Sequence, residues 1–404
     1  MFYSLYEQQR TWNEPLRRMA GLARDALSPL TMWPAGAGLS HFTAGFDLLS
    51  RTSLTHDHPG FHIDHVTVGG KAVKVREEVA AGTPFCTLLR FRKHGIARQP
   101  KVLVVAPLSG HFATLLRDTV RTLLADLDVF LTDWHNARDI PPEHGEFGFD
   151  DCIAHIIGFL EAIGPGAHVI AVCQPCVQVL AAVAVMTEEK NPATPLSMTL
   201  VAGPVDARVQ PTKVNELATS RDIAWFEKNL IAEVPFSSRG AGRKVYPGFV
   251  QLMAFMSMNG DRHVRAHGDL YMHLATGDAD PADEAKAFYD EYFAVSDLPA
   301  RFYLETVQYV FQEARLARGL LRYKNRRVNP SLITRTALLT VEGEDDDICG
   351  IGQTRAAHRL CKGLKQDLKH HHLQAGAGHY GVFSGRRWRT HIYPKVRDLV
   401  ISAA

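Results

Sequence analysis

Cysteine is scarce in this chain, with six among 404 residues, too few and too scattered for a disulfide scaffold. Long apolar runs are missing as well. The longest extends from Val169 to Met186 and is interrupted by Gln174, Pro175 and Gln178; a membrane span needs about 20 consecutive apolar residues, so none is expected. Charge of one sign is not in excess. Lys and Arg total 45 against 43 Asp and Glu, a formal +2, and no long basic tract is present, which argues against nucleic acid or an anionic membrane as the main partner. The opening segment MFYSLYEQQRTWNEPLRR mixes acids and bases where a secretory leader would carry an apolar stretch. The reading is a cytoplasmic protein with reduced thiols. Internal repeats and low-complexity tracts are also lacking. With 46% hydrophobic and 22% charged residues, the composition is globular, neither disordered nor collagenous.

Histidine, by contrast, is plentiful, at 20 residues. His370, His371 and His372 are consecutive and could ligate a metal, but a surface strand end is the favoured reading. Neither a metal nor an organic cofactor is expected.

The first 50 residues read as helices. From Phe61 the period becomes that of strands: HIDHVTV and KAVKVREEV flank Gly69-Gly70 as a β-hairpin, and FCTLLRF at Phe85–Phe91 forms a third strand. At Lys101 the pattern changes again. KVLVVAP is short and almost wholly apolar, as expected of a parallel strand covered on both faces. Further strands of this kind are Asp128–Trp134, His168–Cys173, Leu196–Asp206 and Thr336–Gly343, with a last one in KHHHLQAG. Helical segments such as ATLLRDTVRTLLADL and DDCIAHIIGFLEAIG alternate with the earlier ones. Alternation of this kind predicts an α/β fold with a mostly parallel, doubly wound sheet. The rhythm stops at Asp206. Residues 207–330 read as a helical cap inserted between strands of a core made of 1–206 and 331–404, with 1–50 as a helical N-terminal extension of that core.

Cys173 stands where the strand HVIAVC ends and the next helix begins, with small Ala171 two residues before and Pro175 two after. This is the layout of a nucleophile elbow, which pushes the side chain out at the carboxyl edge of the sheet. There the new helix's N-terminal amides face developing negative charge. The departure from the usual hydrolase elbow is the absence of glycine at positions 171 and 175. Two blander readings compete: most free cysteines are small buried hydrophobes, and Cys173-Gln174-Pro175-Cys176 is also a CxxC spacing, compatible with a redox pair or half a zinc site. No second CxxC exists to complete a zinc site, and Cys176 reads as packing within the first helical turn.

An acid and a base follow in order. After TALLTVEG comes Glu344-Asp345-Asp346-Asp347, and in α/β-hydrolases the acid sits in the turn after a late strand, commonly three residues past a glycine. From Gly343 that is Asp346, with Asp347 as its substitute. His379 follows the last strand within AGAGHYG, where glycines let the backbone approach the nucleophile. Nucleophile, acid and base then have the chain order of α/β-hydrolases. The oxyanion hole is expected from the amide of Gln174 and one in the loop Pro107–His111, either Ser109, which is favoured, or Leu108. His111 either lines the pocket or caps the following helix.

AVCQP around Cys173, TVEGEDDDI around Asp346 and AGAGHYGVFSGRRWR around His379 resemble the intracellular polyhydroxybutyrate (PHB) depolymerases. TDWHNARDIP and FGFDDCIAHI look like that family and like the related polyhydroxyalkanoate synthases. The resemblance runs from about residue 60 to the end and extends to the N-terminal helices. It implies an α/β-hydrolase that cleaves amorphous poly(3-hydroxybutyrate) inside the cell to 3-hydroxybutyrate and oligomers. The implied triad is Cys173, Asp346 and His379, and the implied partner is the surface of a storage granule. For an uncharged polyester the cap should expose apolar groups; the candidates are Trp225, Phe226, Phe249, Phe255, Met256 and Met258, although apolar residues at helical spacing are more often core. The alternatives are a synthase-type acyltransferase using the same cysteine, a non-catalytic granule-associated protein, and a CxxC redox protein. A homodimer is compatible with the sequence, which carries no interface signal.

Overall fold

A computed structural model describes residues 2–32, 37–96, 98–258 and 260–403. Nine strands form the central sheet: β1 (His65–Val68), β2 (Lys71–Gly82), β3 (Cys86–Lys93), β4 (Lys101–Val105), β5 (Asp128–Trp134), β6 (Ala167–Val172), β7 (Ser197–Val201), β8 (Ala337–Gly343) and β9 (Lys369–Gln374). Their spatial order is β1-β2-β3-β5-β4-β6-β7-β8-β9. From β5 to β9 every pairing is parallel, whereas β3 runs antiparallel to both β2 and β5. β1 in turn runs antiparallel to β2. The swap of β4 and β5 in space and the antiparallel strand β3 beside β5 are the topology of an α/β-hydrolase.

The strand patterns explain the placement. β6 and β7 are buried at every residue, as strands covered on both faces must be. β2 lies near the open edge and alternates polar with apolar. The β1–β2 turn places both Gly69 and Gly70 at positive φ, 54° and 80°, the conformation a two-residue hairpin turn demands.

Helices α1 (Phe2–Leu27) and α2 (Ala37–Arg51) open the chain; α3 (Arg117–Leu123), α4 (Phe149–Ile163) and α5 (Cys176–Glu188) alternate with the sheet strands. The expected helix after β4 begins as a 3₁₀ turn, Ala113–Leu116, before α3. α5 is buried along nearly its whole length.

Between β7 and β8 the chain forms α6 (Lys213–Thr219), α7 (Ile223–Leu230), α8 (Gly248–Met258), α9 (Gly260–Thr276), α10 (Ala279–Tyr292) and α11 (Ala300–Thr306), the last continuing as a π-helical turn through Gln312. A small antiparallel sheet of Ala232–Glu233, Lys244–Tyr246 and Leu298–Pro299 lies among them. Strands of two or three residues produce no alternation to read in a sequence, and this sheet was not anticipated.

The N-terminal helices pack on this insertion. α2 packs on α9, and Tyr3, Tyr6 and Phe249 form an aromatic cluster in which Tyr6 stacks on Phe249 at 3.9 Å. The Tyr3 hydroxyl donates to Asp297 Oδ2 at 2.5 Å, and the Gly248 amide donates to Oδ1 at 2.9 Å. Asp297 is fully buried, and burial pushes its pKa up to about 6 despite both donors and nearby Arg138. The raised value means that ionisation opposes folding: the cost is absent below the ordinary carboxyl pKa of about 4 and complete above the folded value. Tyr3→Phe leaves this carboxylate one donor short. It should destabilise the protein by about 1–3 kcal/mol, with a loss in thermal denaturation midpoint that is larger at pH 8 than at pH 5.

Among the described residues, no helix is long and apolar enough to cross a membrane.

Candidate active site

Cys173 follows β6 directly and precedes α5. Its φ is +67°, a left-handed conformation that a side chain other than glycine's adopts only when its surroundings enforce it. The Cys173 amide donates to Val201 O at 2.7 Å, and the elbow then turns sharply into α5. Cys176, three residues on, is fully buried. Its thiol lies 3.5 Å from Ala171 O and 3.6 Å from Val201 O, and both cysteines are unbridged. Burial raises the Cys176 pKa well above that of an ordinary thiol, which suits a packing residue rather than a redox partner.

The usual glycines of the elbow are missing at positions 171 and 175, and close packing is instead met across the sheet. Gly203 follows β7, and a Cβ there would fall 2.2 Å from Cys176 Cβ, 2.3 Å from Cys176 Sγ and 2.5 Å from Cys173 O. Thr354 holds this backbone from both sides: its hydroxyl accepts from the Gly203 amide at 2.8 Å and donates to Gly203 O at 2.9 Å. Glycine at 203 lets the Cys173 turn and its neighbouring strand end share the same space.

His379 opens a 3₁₀ turn after β9 and is buried. Its Nδ1–H donates to Asp346, 2.9 Å from Oδ2 and 3.1 Å from Oδ1. Asp346 also accepts from the amides of Ile348 (2.9 Å) and Cys349 (2.8 Å). Its carboxylate is therefore fixed in the turn after β8, with its side chain 1% exposed. Asp347, the substitute, is exposed. With Nδ1 occupied by Asp346, the other ring nitrogen is the one left for the hydrogen bond to Cys173. Burial disfavours an imidazolium here, but the Asp346 carboxylate and the Cys173 sulfur, both hydrogen-bonded to the ring, hold the His379 pKa well above its ordinary value.

Cys173 opens into a cavity of about 160 Å³ whose walls are mainly apolar: Leu108, Phe226, Phe255, Leu298, Phe302 and Phe311 among them. Ser109 and Gln174 also line it. Among the described residues the main-chain N–H groups of Leu108, Ser109 and Gln174 have no acceptor. Gln174 donates from Nε2 to Thr306 Oγ1 at 3.1 Å, which ties the elbow to the end of α11.

The apolar candidates separate into two groups. Phe226 and Phe255 line the cavity. Phe249 does not: it is buried in the cluster with Tyr3 and Tyr6, so its assignment to substrate binding is corrected. His111 is corrected likewise. It is buried, stacked against Tyr292 at 5.3 Å and 6.4 Å from Phe255, and desolvation lowers its pKa to about 4. Trp225 is half-exposed, edge-on to Phe226 at 5.3 Å and outside the cavity lining. Met256 packs against a cluster of α8, α9 and α10 residues, and the Met258 side chain lies outside the described residues.

Two wall residues carried no sequence signal. Tyr246 and Tyr303 stack at 3.7 Å, and their hydroxyls are hydrogen-bond partners. They stand on different elements, so no spacing links them. The triple histidine lies on β9 at the sheet's edge, where His371 Nδ1 contacts Thr340 Oγ1 at 3.0 Å and His372 Nε2 contacts Gln374 Oε1 at 3.1 Å. Among the described residues no group of His, Cys, Asp or Glu is arranged to hold a metal ion.

The strand order, with an elbow after β6, an acid after β8 and a histidine after β9, defines an α/β-hydrolase. Residues 202–404 match the family model described as the PHB de-polymerase C-terminus. The chain belongs to that family, and is a carboxylic-ester hydrolase of the α/β-hydrolase type. Among solved structures, it is similar to a monoacylglycerol lipase of Paleococcus ferrophilus (13% identity, 76% of this chain and 96% of that one, TM-score 0.43). A carboxylesterase of the ammonia-oxidizing thaumarchaeon Nitrososphaera gargenis gives 14% identity over 84% of this chain and 100% of that one, with a TM-score of 0.42. The 2-hydroxy-6-oxo-6-phenylhexa-2,4-dienoate hydrolase of Rhodococcus sp. strain RHA1 gives 13%, 81%, 99% and 0.41. No curated protein sequence matches the chain.

Proposed function

We propose that the protein hydrolyses the ester bonds of amorphous poly(3-hydroxybutyrate), releasing 3-hydroxybutyrate and short oligomers, with Cys173 as nucleophile, His379 as base and Asp346 as its orienter. The observation that carries this reading is the hydrogen-bonded chain Asp346–His379–Cys173, with the sulfur at a strained elbow facing an apolar cavity. The family match supports the substrate class. The apolar walls suit an uncharged ester, which offers nothing for an ion pair to grip.

In the first half-reaction the Cys173 sulfur, its proton held by His379, attacks an ester carbonyl carbon. The carbonyl oxygen takes the negative charge and lies against the amides of Gln174 and of Ser109 or Leu108. The tetrahedral centre collapses, the C–O bond breaks, and His379 delivers its proton to the departing alkoxide. A hydroxyacyl thioester remains on Cys173. In the second half-reaction His379 takes a proton from water, whose oxygen attacks the thioester; collapse releases the acid and returns the proton to the Cys173–His379 pair. Residues 207–330, acting as a cap, supply most of the apolar wall. The site of action is the cytoplasm, at the surface of storage granules.

Release of 3-hydroxybutyrate from amorphous granules is the test, run beside turnover of 3-hydroxybutyryl-CoA. Acid release from polymer is expected; CoA release coupled to polymer growth would replace hydrolysis with a synthase-type transfer.

Asp346 provides a finer test. Asp346→Asn can still accept the Ile348 and Cys349 amides but loses the charge that favours an imidazolium. Hydrolysis should fall by about 10³- to 10⁴-fold. The His379 titration, followed by NMR, should move to lower pH. Because the folded-state pKa is raised, the stability this pair contributes is complete below the unfolded value of about 6.5. It is lost as pH rises through the folded value. The variant should therefore lose stability mainly on the acidic side of that window.

A further inference from the structure

A surface helix ordinarily turns its apolar face to the protein; α1 leaves a large apolar side in water, while its charged side is divided between inward contacts and exposed residues such as Glu14, Arg18 and Asp25. At about 100° per residue, its charged residues fall on one side of the helix. From that side Glu7 reaches Arg138 at 3.0 Å and Arg24 reaches Asp47 of α2 at 2.9 Å. The opposite side, from Leu5 to Ala26, carries no charged residue. Leu5, Trp12, Leu16 and Met19 follow one another along it and are 57–84% exposed, Trp12 most of all.

We propose that this outward face of α1 is the surface on which the enzyme settles on its polyester, an inference that rests on the polymer reading above. The occupant follows from charge. An anionic lipid surface would call for basic residues flanking the apolar stripe, and a second copy of the chain would call for flanking charge pairs to set its register. The stripe of α1 has uncharged residues such as Ser4, Gln8, Gln9 and Thr11 on and beside it. That suits a featureless, uncharged polymer. The face is also continuous with the site. Tyr3, in the first turn of α1, bonds Asp297, which holds the Gly248 amide at the start of α8. Asp297 adjoins Leu298, and α8 carries Phe255, both in the wall of the Cys173 cavity. One buried carboxylate thus links the docking helix to the cavity.

The test measures co-sedimentation with amorphous polyester granules in a Cys173→Ala background, so that binding is read without hydrolysis. Leu5→Gln/Trp12→Gln/Leu16→Gln/Met19→Gln should weaken binding by about ten-fold or more. With Cys173 restored, turnover of the soluble ester p-nitrophenyl butyrate should stay within about two-fold of wild type. Should the four-fold variant fail to fold, Trp12→Gln/Met19→Gln tests the same face. Unchanged granule binding by a folded variant would overturn the proposal, as would dissociation of a dimer with granule binding intact, or a preference for anionic phospholipid vesicles over granules. Stripe-dependent granule binding by a wild-type protein that releases no acid would support the docking face and sink the depolymerase reading instead.

Discussion

Cys173→Ala is expected to reduce ester hydrolysis by about 10⁴-fold or more while leaving the protein folded. The size follows from the role proposed for Cys173: removing the sulfur removes the proposed acyl acceptor, and no other thiol is placed to replace it. Cys176 is the nearest other thiol in sequence, but it is fully buried and its Sγ faces the carbonyls of Ala171 and Val201. The fold should tolerate the change because Cys173 is at the cavity's edge rather than in the sheet core. Alanine still has to adopt the positive φ, so a modest loss of stability is expected, not unfolding. Initial rates on a soluble ester and on amorphous polymer should fall together. His379 should titrate at a lower pH in the variant, since the sulfur is one of the partners that hold its pKa up. Retained activity would place the nucleophile elsewhere.

Gly203→Ala should be strongly disruptive. The added carbon would sit 2.5 Å from Cys173 O and within 2.3 Å of the Cys176 side chain, far inside van der Waals contact. Neither obstacle can move freely. Cys173 O belongs to the strained elbow, and Cys176 begins a helix buried along nearly its whole length. The expected loss is about 3 kcal/mol or more, measured by denaturant unfolding. Activity should fall further than stability accounts for, because relief of the clash displaces Cys173 relative to His379. Gly203→Ala/Cys176→Ala, which removes one of the two obstacles, should recover part of the stability but little of the activity. Full stability in Gly203→Ala would mean that the strand end and the elbow are not packed as described.

The two substitutions illustrate what a sequence exposes. The candidate residues Cys173, Asp346 and His379, which the structure brings together, were legible because each lies in a short local pattern at the end of an apolar strand, and their chain order fits one fold. Gly203 was not, since the contact that requires a glycine is with residues 173 and 176 across the sheet. The same holds for Tyr3 and Asp297, 294 residues apart, and for the stacked Tyr246 and Tyr303. Phe249 and Phe255 were treated alike because FVQLMAFMSM is apolar almost throughout. Without a polar face, periodicity cannot tell the side packed on Tyr6 from the side lining the cavity. The parallel strands were recognised from their continuous apolar runs, whereas strands of two or three residues in the insertion left no pattern. The helical character of α1 was readable, but not which face turns outward, because that depends on Arg138 and Asp47, in other parts of the fold.

Trapping the acyl-enzyme tests the central claim most directly. Amorphous poly(3-hydroxybutyrate) is mixed with excess enzyme, the reaction is quenched in acid, and the digested protein is examined by mass spectrometry. The expected result is a hydroxybutyryl or oligomeric hydroxyacyl group on the peptide bearing Cys173, localised to that residue by fragmentation. It should be absent from Cys173→Ala and accompanied by release of 3-hydroxybutyrate from wild type. Polymer hydrolysis with Cys173 unacylated, or the acyl group on another residue, would contradict a cysteine nucleophile at this elbow.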